Sequence, residues 1–191
     1  MFWNSFATIA FFSLIVSDVS YQEPETLYQT NYIEVFGSLK QPSKKGDWEV
    51  DNGPTVFVCQ GTPINKSRLS QAMRFWNNLG YELNGPIMNS NLPACRGEQE
   101  FSWGNIIVTL RGQNFPEDKL AVTRTFRKIE DDTIVGAVIE IQHNAATKER
   151  AIEHEIGHAF GWQHFNRKYH MMNSIHQFGG WDTYGLRRTR R

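Results

Sequence analysis

The chain has 191 residues, a length that suits one ordinary domain with a buried core. Its 20 acidic and 20 basic residues balance, so no excess charge indicates a nucleic-acid or anionic-membrane partner. The 13 Phe, 6 Trp and 6 Tyr residues favour a packed globular protein and argue against disorder.

The first 16 residues (MFWNSFATIAFFSLIV) form an apolar run. The run is shorter than the roughly 20 residues of a membrane span and is typical of the apolar part of a secretory signal, with cleavage after Ser17 or Ser20. No Lys or Arg precedes it, which is atypical of such signals, so an uncleaved anchor and a buried strand or helix are the alternatives. We expect a signal peptide over residues 1–20 and a secreted or extracytoplasmic protein.

Residues 21–54 are polar and rich in turn-forming residues, and we expect an N-terminal extension or short pro-segment there. One domain then covers residues 55–191. Its first element, TVFVC at Thr55–Cys59, has a buried-strand pattern. A helix follows, with Gly80 placed to end it. Its apolar face consists of Leu69, Ala72, Met73, Trp76 and Leu79.

The middle of the chain predicts further strands. Residues 84–104 contain two prolines and several glycines, and we expect a loop there. Strands are predicted at residues 106–110, 120–127 and 134–141. Asn144 or Thr147 is placed to cap the next helix.

That next helix carries two kinds of side chain on different faces. The apolar stripe, which should pack on the sheet, consists of Ile152, Ile156, Ala159 and Phe160. His154 and His158 lie well round from this stripe, so we expect them to face a cleft. Their spacing of four residues stacks them on one helical face, where both imidazoles can reach one zinc ion.

The sequence HEIGHAFGWQH at residues 154–164 supplies the other parts of a zinc site. Glu155 is placed to take a proton from a water molecule at the metal. Gly161 tolerates the left-handed conformation that ends a helix, and such a turn would bring His164 back as a third ligand. Three protein ligands leave one position open, as catalytic zinc sites do.

This stretch resembles the metzincin clan of zinc endopeptidases, whose long motif H-E-x-x-H-x-x-G-x-x-H it matches at every fixed position. Met172 lies where matrixin-type members have the methionine of their methionine turn. The resemblance implies an α+β fold with a twisted, mostly parallel sheet, an antiparallel edge strand, an active-site helix and a small C-terminal subdomain after His164. It also implies one catalytic Zn²⁺ ion and Glu155 as general base.

The resemblance further implies substrate contacts. In metzincins a strand at the position of Leu120, Val122 and Thr123 forms the sheet edge to which a peptide adds as a further strand; an ordinary sheet strand is the alternative. The segment after Met172 forms a wall of the pocket beside the scissile bond. Ser174 stands where astacin- and serralysin-type members have a Tyr ligand.

The two cysteines, Cys59 and Cys95, can be interpreted in two ways. In an exported protein an even pair usually forms a disulfide, which is our expectation. The alternative is a cysteine that blocks zinc in a latent form, as in matrixin pro-segments. Calcium is possible but not indicated, because the carboxylates lack a calcium-loop pattern.

The sequence predicts a zinc-dependent endopeptidase that acts on a protein or peptide substrate as a monomer, without a nucleic-acid partner. Two alternatives stay open. One is a zinc-stabilised binding protein of the same fold without activity. The other is a toxin or processing protease with a single target.

Overall fold

The computed structural model describes residues 41–50, 52–112 and 115–188. The expected signal peptide and residues 21–40 of the expected extension lie outside the described residues. Within the described ranges, no helix is both long enough and apolar enough to cross a membrane.

A five-stranded sheet forms the centre of the domain. Its strands are β1 (Thr55–Cys59), β2 (Asn84–Ser90), β3 (Asn105–Leu110), β4 (Ala121–Arg127) and β5 (Ile134–Ile141). Their order across the sheet is β2-β1-β3-β5-β4. Neighbouring strands are parallel, except that β4 pairs with β5 in the antiparallel direction. The fold is therefore α+β with a mostly parallel sheet and an antiparallel edge strand, as expected.

Two α-helices, α1 (Lys66–Asn78) and α2 (Ala151–Ala159), pack on one face of this sheet. The Asn65 side chain accepts a hydrogen bond from the Arg68 amide and caps α1. The apolar stripes predicted for both helices are buried in the main core. Its fully buried side chains include Leu69, Trp76, Ile139, Ile152 and Ile156. The two helices are therefore held in fixed positions relative to the strand ends.

A second, smaller cluster lies on the other face of the sheet, around Cys59, Ile107 and Val138. A disulfide joins Cys59, at the end of β1, to Cys95 in a short 3₁₀ turn. The expected pairing of the two cysteines is thus confirmed, and it is compatible with an oxidising extracellular compartment.

The expectation of a loop over residues 84–104 was wrong in its first part, which forms β2. This strand (NGPIMNS) is at the sheet edge and pairs with β1 only. Of its seven residues, only Pro86 and Ser90 are buried, so an apolar pattern is missing. The strand is defined by its backbone hydrogen bonds to β1, and such bonds do not require an alternation of apolar and polar side chains.

Residues 41–50, which we call the N-terminal strap, pack on the domain. The Lys45 amide donates to the Gly161 carbonyl oxygen, and the Gln163 amide donates to the Ser43 carbonyl oxygen, both at 2.9 Å. Further along, the Ile134 amide donates to the Asp47 carbonyl oxygen at 2.7 Å. The strap therefore connects the start of β5 to the turn that follows α2.

Candidate metal centre

Helix α2 begins at Ala151, later than the cap prediction required. Asn144 precedes a separate 3₁₀ turn, Ala145–Thr147, and Thr147 is the last residue of that turn. Neither residue caps α2. Arg150 precedes the helix in a left-handed conformation with φ of 64° and makes no side-chain cap. The prediction of a cap by Asn144 or Thr147 was therefore wrong, because a sharp turn separates these residues from the helix.

Glu153 fixes the position of α2 against α1. Arg68 donates two hydrogen bonds to its carboxylate, both at 2.6 Å, and the Trp76 indole donates to its carbonyl oxygen at 2.7 Å. Glu153 is only 3% exposed, so this ion pair is well shielded from water. This ion pair was not predictable from the sequence, since it joins residues that are 85 positions apart.

Gly161 turns the chain at the end of α2, as predicted. Its φ is +89°, and a Cβ atom there would lie 2.1 Å from the Lys45 carbonyl oxygen in the strap. The Trp162 amide donates to Gly157 and the Gly161 amide to His158, at 3.0 and 2.8 Å, which is a Schellman arrangement. Only glycine fits this turn, and the turn carries His164 back beside the helix.

The three predicted histidines come together at this point. The Nε2 atom of His158 lies 3.1 Å from the Nε2 atoms of both His154 and His164. The possible ligand atoms of the three side chains all lie within 4.8 Å of one another. Two nitrogens at tetrahedral zinc distances would be about 3.3–3.4 Å apart, so the spacing suits ligands of one ion.

Backbone carbonyl groups orient two of the rings. The Nδ1 atom of His154 bonds the Met171 carbonyl oxygen at 2.8 Å, and Nδ1 of His158 bonds the Trp162 carbonyl oxygen at 2.7 Å. A carbonyl oxygen only accepts, so each Nδ1 carries the proton and each Nε2 presents a lone pair. The lone pairs therefore converge on one point.

Electrostatics favour the neutral, ligand-ready form of these rings. Burial lowers the pKa of His154 to about 3 and that of His158 to about 4. Burial and the charge of Lys119 also lower the pKa of His164. Converging lone pairs repel one another, and the low pKa values disfavour a proton between them. A metal cation satisfies all three nitrogens at once, so the residues present fit a metal ion.

Glu155, which follows His154 on α2, is buried, with 7% of its surface exposed. The Thr123 hydroxyl of β4 lies 2.6 Å from its Oε2 atom and 3.1 Å from its backbone carbonyl oxygen. Burial raises the pKa of Glu155 to about 7, against the opposing effect of the Thr123 hydrogen bond. Thr123, which we predicted as a substrate contact, is thus in contact with Glu155.

Met172 is fully buried under α2, and its sulfur atom lies against Gly157. The preceding residue, Met171, supplies the carbonyl oxygen that orients His154. The Phe165 amide donates to the Met172 carbonyl oxygen at 2.8 Å. The methionine pair therefore lies against the helix that carries His154 and His158, and we call it the floor of the centre.

The other predicted substrate residues have different surroundings from Thr123. Leu120 is partly buried against the main core, and Val122 lies on β4 opposite Glu140. Ser174 is exposed, and its hydroxyl donates to Asn166 at 2.7 Å.

Two histidines near the triad in sequence have structural partners. The His170 Nδ1 atom accepts from the Met172 amide, and its Nε2 bonds the Tyr184 carbonyl oxygen. The His176 Nε2 atom bonds the Glu149 carbonyl oxygen at 2.7 Å. Both rings brace the segment after Met172.

No protein-family model matches this chain, and no curated protein matches it. The proposed function therefore rests on the geometry of the centre and on the motif at residues 154–164.

Proposed function

We propose that this protein is a zinc-dependent endopeptidase of the metzincin type, secreted or extracytoplasmic, acting on a protein or peptide substrate. One observation carries the proposal: three neutral imidazoles converge on one point, and the residue that follows the first of them, Glu155, has a buried carboxylate. A site that only binds metal for stability has no need of that carboxylate.

His154, His158 and His164 would hold the ion. Imidazole is a preferred zinc ligand, and three protein ligands leave a coordination position for water or substrate. A bound zinc ion would lower the pKa of a coordinated water to about 7 and polarise the substrate carbonyl. His164 is the most exposed of the three, so the open side of the centre faces solvent.

Glu155 would act as the general base. In the metal-free protein burial raises its pKa to about 7, so the carboxylate accepts a proton more readily than an exposed one does. It accepts a proton from the attacking water and delivers it to the nitrogen of the leaving amine. Because Glu155 is shielded from bulk water, the proton is held beside the reacting bond.

The edge strand β4 would bind the substrate. It pairs with β5 on one side, and it lies at the edge of the sheet. A peptide laid along such an edge gains main-chain hydrogen bonds, and Thr123 places the strand directly beside Glu155. The scissile bond would then lie close to the general base.

The test is cleavage of a peptide library and of unfolded casein by the purified chain. We expect cleavage that a chelator abolishes and added zinc restores. The isosteric variant Glu155→Gln should retain zinc and lose turnover by about 10²–10⁴-fold. Chelator-resistant cleavage, or near-normal turnover by Glu155→Gln, would refute the proposal. Stoichiometric zinc without any cleavage would instead favour the non-catalytic binding protein.

A further inference from the structure

The most informative contact outside the histidines is the one between Thr123 and Glu155. The Thr123 hydroxyl lies 2.6 Å from Oε2 of the carboxylate and 3.1 Å from the Glu155 carbonyl oxygen. Both groups accept hydrogen bonds, so the hydroxyl is the donor, and its single proton favours the nearer, charged oxygen. Glu155 is 7% exposed, so water competes little for this bond.

Thr123 is a polar residue on a face of the sheet where its neighbours on β5 are apolar. Its side chain is on the sheet face that carries α2, opposite Ile139 of β5. Along β5, the residues on this face (Ala137, Ile139 and Ile141) are fully buried and apolar. Valine would match Thr123 in shape at this place, whereas a hydroxyl needs a partner. The partner is the carboxylate of Glu155.

We propose that Thr123 is a positioning residue that holds Oε2 of Glu155 and so directs Oε1 toward the reacting water. This inference rests on the proposed function of the same site. A glutamate carboxyl group rotates freely about its last torsion, which has a broad, nearly two-fold profile. A hydrogen bond to one oxygen removes that freedom and assigns different tasks to the two oxygens.

This division of tasks persists through the proton transfer. As the water oxygen forms a bond to the carbonyl carbon of the substrate, one of its O–H bonds breaks and an O–H bond forms at Oε1 of Glu155. Oε2 then remains a carbonyl-type acceptor, and the Thr123 hydroxyl keeps its partner. The proton later passes from Oε1 to the leaving amine nitrogen as the C–N bond breaks, which restores the carboxylate. Thr123 neither gains nor loses a proton in this cycle.

The test compares Thr123→Val, which keeps the shape, with Thr123→Ser, which keeps the hydroxyl. We expect Thr123→Val to lower kcat about tenfold to a hundredfold, as misplacement of a reacting group does, with little change in KM or zinc content. Thr123→Ser should rescue most of the lost kcat. The matched control is Thr109→Val, the same change on β3 and on the sheet face that points away from α2, which should leave kcat unchanged. Thr123→Ala replaces the valine variant if that variant fails to fold.

A second readout does not depend on turnover. In metal-free protein labelled with ¹³C at glutamate carboxyl groups, the Glu155 signal is identified by its loss in Glu155→Gln. We expect this signal to shift in Thr123→Val and to return towards the wild-type position in Thr123→Ser. An unchanged signal in Thr123→Val overturns the inference whether or not the wild-type chain cleaves peptides. Normal kcat in Thr123→Val, or a serine variant as slow as the valine variant, also overturns it. A wild-type chain without turnover refutes the proposed function and, with it, the positioning role of Thr123 in catalysis.

Discussion

Met172 lies so close to Gly157 that a Cβ atom at position 157 would be 2.5 Å from its sulfur atom. The same Cβ atom would lie 2.8 Å from the ring of Trp76. Both neighbours are fully buried, and the Trp76 indole is held by its hydrogen bond to Glu153. The middle of α2 therefore approaches the floor of the centre as closely as a glycine allows.

We predict that Gly157→Ala destabilises the protein in spite of the better helix propensity of alanine. Alanine gains about 1 kcal/mol in a helix, whereas overpacking a buried site costs about 1–3 kcal/mol, and here two fixed neighbours are affected. Urea unfolding should give a lower free energy of unfolding. The double variant Gly157→Ala/Met172→Ala should be less destabilised than the sum of the single changes. Additive effects or a stabilised Gly157→Ala would contradict the close contact.

The hydroxyl of Tyr81 holds the side chain of Trp162, the residue whose carbonyl oxygen orients His158. It accepts from the Trp162 indole at 2.8 Å and donates to the Leu186 carbonyl oxygen at 3.0 Å. Tyr81→Phe leaves a buried indole N–H without this acceptor, which should cost about 1–3 kcal/mol of stability. Thermal or urea unfolding measures the loss. Tyr184→Phe, at a site that is 40% exposed, is the control and should change stability little; equal effects of the two variants would refute the role of Tyr81.

The disulfide lies on the opposite side of the sheet from the histidines. Cys59 and Cys95 are 36 positions apart, and a loop of that size corresponds to roughly 3–4 kcal/mol in the chain-entropy treatment. We predict that the double variant Cys59→Ser/Cys95→Ser unfolds at lower urea concentration but binds the same amount of zinc per folded chain. A folded variant that has lost its zinc would contradict this separation of the disulfide from the metal centre.

Stability of the metal-free protein should depend on pH in a defined window. Burial lowers the pKa of His154 to about 3 and that of His158 to about 4, from an ordinary value of 6.5. Below pH 6.5 the unfolded chain therefore binds protons that the folded chain does not, and the free energy of unfolding falls. Burial raises the pKa of Glu155 to about 7 from 4.5. The folded chain binds that proton more tightly, which partly opposes the fall.

We therefore predict that the metal-free protein loses stability as the pH is lowered from 6.5 to 4.5, and that Glu155→Gln makes this loss steeper. Urea unfolding at several pH values measures both slopes. Constant or rising stability over this interval would show that the histidines are not buried in the neutral form.

Strands and motifs with strong local patterns were predictable from the sequence. Thr55–Cys59 and Ile134–Ile141 are largely apolar, and their predicted bounds agree with β1 and β5. The turn at Gly161 was predictable because glycine adopts a positive φ without the steric penalty that other residues carry. The meeting of the three histidines followed from this turn and from the helical spacing.

Contacts between distant segments were not predictable in this way. Strand β2 carries no apolar alternation, since it is an edge strand defined by backbone pairing. The bond between Thr123 and Glu155 depends on which strand lies beside α2, and single-sequence patterns do not record that neighbour. A threonine on the inward face of β4 was the available signal, but its partner is 32 positions away.

The coordination of zinc in the purified chain tests the central claim most directly. Elemental analysis together with X-ray absorption should find one zinc ion per chain with three imidazole nitrogens at about 2.0–2.1 Å. In His164→Ala, one imidazole should be lost from the coordination shell and metal affinity should fall sharply. Absence of stoichiometric zinc, or a His164→Ala spectrum equal to that of the wild-type chain, would contradict the three-histidine centre.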